Sequence, residues 1–272
     1  MDGLSYWQER ELATQEKITA QGIEEIEKQL AKYYASAQQK VVGQFEAIYN
    51  KLLLNGEKGI TATPADLYRM ESYWQLQAQL KVELEKLGNK QAVLFGNKFT
   101  NQYYQIYRGL LPHDDLFFGE ISQEIAQQMI NQIWCADGKT WSSRIWTNTD
   151  KLQQVLNDNL LECVLTGADT KALKERLMYQ FGVSYNNADT IVRTEMLHIQ
   201  TQAAQQRYKD AGLQEVEVWA DKDERRCDIC GKLHQQRFPI CGAMPIPAHP
   251  RCRCRILPVI EPKYEQLKIE NF

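Results

Sequence analysis

The sequence predicts a mainly α fold: a long N-terminal helical hairpin-like region, followed by a helical C-terminal domain that ends in a small β-containing module. Two observations carry this expectation. Apolar residues recur at steps of three and four from Ile23 to Ala211, and beyond Gly212 the period drops to two, where five of the seven cysteines fall between Cys227 and Cys254.

The first stripe runs through Ile26, Leu30, Tyr33, Ala37, Val41, Phe45, Ile48 and Leu52, as one face of a single helix requires. About thirty residues at ~1.5 Å each extend ~45 Å, so this stripe needs a long partner. Asn55 and Gly56 break the pattern. Thr63, Pro64 and Asp66 supply an N-cap, a preset first-turn residue and a favourable negative charge for a second helix. Its stripe is Leu67, Met70, Tyr73, Leu80, Leu84 and Leu87, with Gly88 as its expected stop. A third helix carries Phe95, Phe99, Tyr103, Ile106 and Leu110 on one face.

Pro112, Asp114, Asp115 and Gly119 mark a linker over Leu111 to Gly119 and divide a long-helix region, 1–112, from a second domain, 120–272. In that domain helices are expected over Glu120–Trp134, Lys151–Leu165, Lys171–Phe181 and Tyr185–Ala211, with Gly167, Gly182 and Gly212 at their ends. Val216 and Val218, alternating with Glu215 and Glu217, predict a strand leading into Trp219. Arg237–Ile240 and Arg253–Ile260 are weaker strand candidates because each contains a proline.

Composition sets outer limits. Hydrophobic residues at 43% and charged residues at 25% fit an ordinary folded chain. Met1 to Arg10 lacks the apolar core of a secretory signal, and no apolar run is long enough to span a bilayer. A cytoplasmic setting, or export inside a larger particle, follows. Net charge −3 gives no global attraction to nucleic acid, so any such contact must be local.

The cysteines are spaced as Cys227-x2-Cys230, eighteen intervening residues, then His249-x2-Cys252-x-Cys254. Two residues between ligands allow a tight turn to aim both side chains at one ion, and two such turns complete a tetrahedron. A structural zinc is expected, held by four of these five residues over a module at 221–258, with Cys252 favoured over Cys254. If 252–254 is extended, both thiols face one side and Cys254 serves instead. Cys241 and His234 are weaker candidates, and free thiols or a disulfide are the alternative to metal. Between Asp221 and Arg255 eight Lys/Arg stand against four Asp/Glu, a local balance that suits phosphate as well as a solvated face.

Elsewhere, Glu195 falls on the buried face of its helix and needs a partner, for which Arg144 and Arg193 are candidates. Glu195 and His198 form a Glu-x-x-His pair, but no other histidine has a Glu three residues before it, which excludes a di-iron bundle. Trp141 and Trp146 read as core anchors. Phosphate-binding loop, nucleophile-elbow and His-Glu-x-x-His patterns do not occur.

From Ala188 to Pro258 the chain resembles the phage Mu F-like head morphogenesis family, the phage minor head proteins. Arg193-Thr194-Glu195, Tyr208, Ala211-Gly212, Trp219, Asp223, Arg225, Cys227-x2-Cys230 and His249-Pro250-x-Cys252-Arg253-Cys254 carry the resemblance. It extends back through Trp141-Ser142-x-Arg144-Ile145. It implies a minor capsid component present in few copies, acting in the host cytoplasm and then residing in the virion head. The implied partners are the portal protein, bound through the long N-terminal helices, and packaged double-stranded DNA. Arg193, Glu195, Trp219 and Asp223 are then structural residues, and the chain is no enzyme. Some members continue into a toxin domain, for which the residues after Pro258 leave no room. The competing expectations are a metal-dependent nuclease or transferase using Glu195 or the acidic residues near Cys227, and a DNA-binding assembly factor using Arg251, Arg253 and Arg255.

Overall fold

The computed structural model describes residues 4–56, 63–111, 123–135 and 137–260, the side chains of 52–56 excepted. In chain order these residues form α1 (Tyr6–Gly56), α2 (Pro64–Arg69), α3 (Glu71–Gly109), α4 (Gln123–Ile130), α5 (Trp141–Thr166), α6 (Thr170–Asp210), β1 (Glu215–Trp219), α7 (Asp228–Leu233), β2 (Arg237–Pro239) and β3 (Arg255–Pro258). The mainly helical reading holds, and most of the expected linker at 111–119 lies outside the described residues.

Helix α1 starts well before Ile23. Ser5 and Gln8 form a reciprocal cap: the Gln8 amide donates to Ser5 Oγ at 3.3 Å and the Ser5 amide to Gln8 Oε1 at 3.1 Å. The buried face then continues backward from Ile26 through Thr19, Gln15, Glu11 and Trp7 at helical steps. Because three of these four residues are polar, the stripe is invisible to a search for apolar periodicity.

Two expected helix breaks are absent, and at Gly88 packing outweighs the ~1 kcal/mol helix cost of glycine. Gly88 lies inside α3, where a Cβ would come within 2.6 Å of Trp146 Cζ3; the glycine opens a groove for that ring. Gly182 lies inside α6, flanked by buried Leu177, Phe181, Ala188 and Val192. The expected ends at Gly167 and Gly212 do occur, with φ of +64° and +78°. Leu213 N–H then closes on Tyr208 O at 3.0 Å, satisfying a terminal carbonyl of α6.

The described residues group into two compact units, and each draws on both sides of residue 112. The division is not sequential because α1, α3 and α6 are long enough to give one part to each.

One unit comprises 26–95 and 134–191. It is a helical bundle whose core includes Leu30 and Phe45 of α1, Leu80 and Leu84 of α3, Leu156 and Leu160 of α5, and Leu173 and Leu177 of α6. Each such side chain contributes roughly 2 kcal/mol of burial. Lys40 pairs with Glu83 at 3.3 Å and Lys90 lies over the Tyr33 ring, so α1 and α3 run antiparallel here. Thr140 caps α5 by accepting from Ser143 N–H at 3.2 Å, and the α2 cap at Thr63 is reciprocated by Asp66.

The other unit comprises 1–25, 96–133 and 192–272. Its antiparallel sheet has the order β2-β1-β3, so Pro239 and Pro258 end edge strands, where a missing N–H costs little. The free edge of β3 is covered by α1: Gln15 Nε2 donates to Ile256 O at 3.0 Å and Gln8 Nε2 to Pro258 O at 3.3 Å.

A buried polar chain links the helices of this unit. Gln102 Nε2 donates to Thr19 Oγ1 at 2.6 Å, and the Thr19 hydroxyl donates to Gln200 Oε1. Gln200 Nε2 then donates to Gln15 Oε1 at 3.0 Å, and Gln15 Nε2 reaches Tyr208 Oη at 3.2 Å. Tyr208 donates to Glu11 Oε2 at 3.3 Å, and Glu11 Oε1 accepts the Leu111 amide at 2.9 Å. Arg207, fully buried, donates to Leu110 O and Leu111 O at 2.8 and 3.3 Å, placing its charge at the carbonyl end of α3.

Candidate metal centre

The sheet positions the cysteine segment. Past Trp219, Asp223 begins a turn in which its carbonyl accepts Arg226 N–H at 3.0 Å and its carboxylate accepts Arg225 N–H at 3.1 Å. Cys227 follows as the N-cap of α7: its Sγ accepts the Cys230 amide at 3.4 Å, while Gly231 N–H closes on Cys227 O at 2.8 Å. This is the tight turn that a two-residue spacing predicts, with both thiols on one side.

The second turn is shaped differently. Cys252 N–H closes on His249 O at 3.2 Å, and Arg251 between them takes φ +58°, which few side chains other than glycine adopt. His249 directs Nε2 at the thiols, 3.1 Å from Cys230 Sγ and 3.3 Å from Cys227 Sγ. Its Nδ1 lies 2.8 Å from Pro250 O, an outer contact that fixes the ring with Nδ1 protonated and Nε2 free to ligate.

The donor atoms of Cys227, Cys230 and His249 lie within 4.8 Å of one another, as do those of Cys230, Cys252 and Cys254. Cys230 belongs to both triads. A tetrahedral ion with Zn–S near 2.3 Å and Zn–N near 2.0 Å needs S···S of about 3.8 Å and S···N of about 3.6 Å. The observed Cys230–Cys252 separation is 3.8 Å, and the histidine needs to retreat by about 0.3–0.5 Å. Each triad supplies three donors of the kind such a metal takes, and the two triads share Cys230.

Proton balance supports the same fit. Burial pushes the Cys230 thiol up, whereas the hydrogen bond from Cys254 pulls the Cys252 thiol down. Cys254 is driven the other way by its bond to Cys252. Thiols this close cannot all ionise unaided, and a divalent cation supplies the missing charge. Both Cys252 and Cys254 are buried beside Cys230, so both are within ligand reach.

The weaker candidates fall elsewhere. Cys241 is exposed and belongs to neither triad. His234 Nδ1 accepts the Ala220 amide at 3.2 Å, and its ring meets Trp219 edge-on at 4.6 Å, which makes both residues part of the β1–α7 packing. Arg144 donates to Asp137 at 2.7 Å. Glu195 is buried within α6, and His198, one turn on, is pushed down to about 4 by burial and stays neutral.

Several acidic and basic residues of the module pair with one another. Arg253 donates through both terminal nitrogens to Asp223 and also reaches Asp221 at 3.4 Å. Arg255 pairs with Asp221 at 3.2 Å and with Glu16 of α1 at 3.4 Å. The Arg253 fork, followed by Arg225, holds the Asp223 carboxyl well below its ordinary range. Two of the arginines expected to meet phosphate and two of the carboxylates expected to serve as bases are thus engaged with each other.

Sequence reading missed the groups that hold the module in place. Thr194 Oγ1 accepts the Arg251 amide at 3.0 Å, and Gln205 Nε2 donates to Ile240 O and Gly242 O at 2.7 and 2.8 Å. Neither has a spacing signature; only the adjacency of Thr194 to Arg193 and Glu195 in the motif pointed toward it.

No curated protein and no solved structure gives a significant match to the chain. Residues 154–257 match the family described as Phage Mu protein F like protein, a span that covers the second half of α5, all of α6 and the metal-binding turns. That span is similar to the same family that the residues from Arg193 to Cys254 resemble.

Proposed function

We propose that the protein is a minor capsid component of phage head morphogenesis, that it associates with the portal during assembly, and that one zinc ion staples its C-terminal module without catalytic turnover. The match over residues 154–257 supports the assembly role. The observation that carries the structural reading of the metal is the ligand surround: soft sulfur and imidazole donors suit zinc, and the adjacent Asp221 and Asp223 are tied to Arg253 and Arg255 instead of standing free as proton acceptors. The module offers little apolar area of its own, so the ion supplies stability that burial does not.

We assign portal contact to the long N-terminal helices, where Trp74, Val82 and Val93 are exposed. The protein then works in the host cytoplasm and ends in the virion head, with DNA contact as a secondary role. Among the described residues no helix is long and apolar enough to cross a membrane.

Co-expression with the portal protein tests this reading. The expected result is co-purification on the portal ring and one zinc per chain by elemental analysis. A portal that does not bind the chain, together with virions that lack it, refutes the assembly role; metal-dependent nucleic-acid cleavage lost on Glu195→Ala replaces it with an enzyme.

A further inference from the structure

We infer that Thr194 is a positioning residue of the metal centre: from the middle of α6 its hydroxyl holds the Arg251 amide and thereby sets the turn that carries the ligand residues His249 and Cys252. The inference rests on the metal centre proposed above and adds to it a group outside the ligand set.

Two ligand residues, His249 and Cys252, bracket Pro250 and Arg251. The direction of their side chains depends on the backbone between them, and that backbone is unusual, because Arg251 holds φ +58° without being glycine. A left-handed residue persists only when its surroundings fix it. The Cys252 N–H bond to His249 O closes the turn from inside, and the Arg251 N–H points outward and meets Thr194 Oγ1 at 3.0 Å.

Thr194 is suited to the task. It is buried, and it sits in a helix of 41 residues whose neighbouring positions Glu195, Met196, Leu197, His198 and Ile199 are buried as well. Its branched side chain has few rotamers, so the hydroxyl is held in place before the turn docks on it. An outer group that orients ligands commonly alters metal affinity by 10–100-fold.

The test compares Thr194→Val, which keeps the shape and removes the acceptor, with Thr194→Ser, which restores it. Zinc affinity is read by competition with a chromophoric chelator, and the ligand set by the absorption spectrum of the cobalt-substituted protein. Thr194→Val is expected to weaken zinc binding by about tenfold or more with 1:1 stoichiometry and a cobalt spectrum still showing thiolate ligation, and Thr194→Ser to stay within about threefold of wild type. Thr201→Val is the control: Thr201 is buried in the same helix, bonds Leu197 O within it at 2.9 Å, and should leave zinc affinity unchanged.

Equal zinc affinity in Thr194→Val and wild type overturns the inference, as does an equal loss in Thr201→Val. If Thr194→Val does not fold, hydrogen exchange of the Arg251 amide in the wild-type zinc protein decides: slow exchange supports the bond and fast exchange overturns it. A wild-type chain that takes up no zinc or cobalt overturns the metal centre and this inference with it, whereas zinc-loaded wild type with an indifferent Thr194→Val overturns the inference alone.

Discussion

Replacing Glu11 by Gln should change how stability depends on pH more than it changes the fold. Glu11 is fully buried on α1, accepts the Leu111 amide at 2.9 Å and the Tyr208 hydroxyl at 3.3 Å, and is lifted by burial from 4.5 to about 6 despite those bonds and the nearby Arg10 and Arg207. The folded carboxyl therefore holds its proton more tightly than the unfolded one. Its contribution to stability is fully present below pH 4.5 and is lost as pH rises through 6. A shift of this size corresponds to about 2 kcal/mol, at ~1.4 kcal/mol per pH unit.

Glutamine has no charge to bury and can keep both contacts, its oxygen accepting from Leu111 and its amide donating to the Tyr208 oxygen. Urea unfolding of both proteins at matched zinc concentration, from pH 4.5 to 7.5, isolates the effect, because protonation of the metal ligands acts on both alike. The stability of Glu11→Gln relative to wild type should rise by about 2 kcal/mol across that range, mostly below pH 6.5. A difference that stays flat, or that falls with pH, refutes the assignment of burial as the dominant influence on Glu11.

Gly88→Ala places a methyl within 2.6 Å of Trp146 Cζ3, so it should cost about 1–3 kcal/mol by thermal unfolding although alanine is the better helix former. Gly212→Ala, at φ +78°, should cost roughly 1–2 kcal/mol through the left-handed penalty at the end of α6, again read by thermal unfolding. Cys230→Ser should abolish stoichiometric zinc because Cys230 belongs to both donor triads, while Cys241→Ser should retain one zinc per chain by elemental analysis. Chelation of the wild-type metal should redden Trp219 fluorescence as the β1–α7 packing around His234 loosens.

How much of this was legible depended on whether a residue's partner is local. The Cys227-x2-Cys230 turn is a local object, and spacing alone located it. The strand at Val216 and Val218 and the αL ends at Gly167 and Gly212 were readable for the same reason. Gly88 misled because a helix interior tolerates glycine when a distant ring repays it, and that ring is not visible in a short window. The first turns of α1 were hidden by their chemistry: Glu11, Gln15 and Thr19 are buried, yet they satisfy one another and the sheet edge through bonds to residues nearly 200 or more positions away. The Thr194–Arg251 contact, 57 residues apart, leaves no trace in either segment by itself.

The bonds from Gln8 and Gln15 to the β3 carbonyls join residues about 250 positions apart, and this sets an order on biosynthesis. A ribosome adding about 5–20 residues per second needs roughly 10–50 s between exposing the start of α1 and delivering Ile256 and Pro258. The bundle formed by 26–95 and 134–191 has all its parts before then. The polar face of residues 7–19 does not: during that interval it remains hydrated on the nascent chain. Three polar residues there keep a waiting helix from presenting a sticky surface to its neighbours on the polysome.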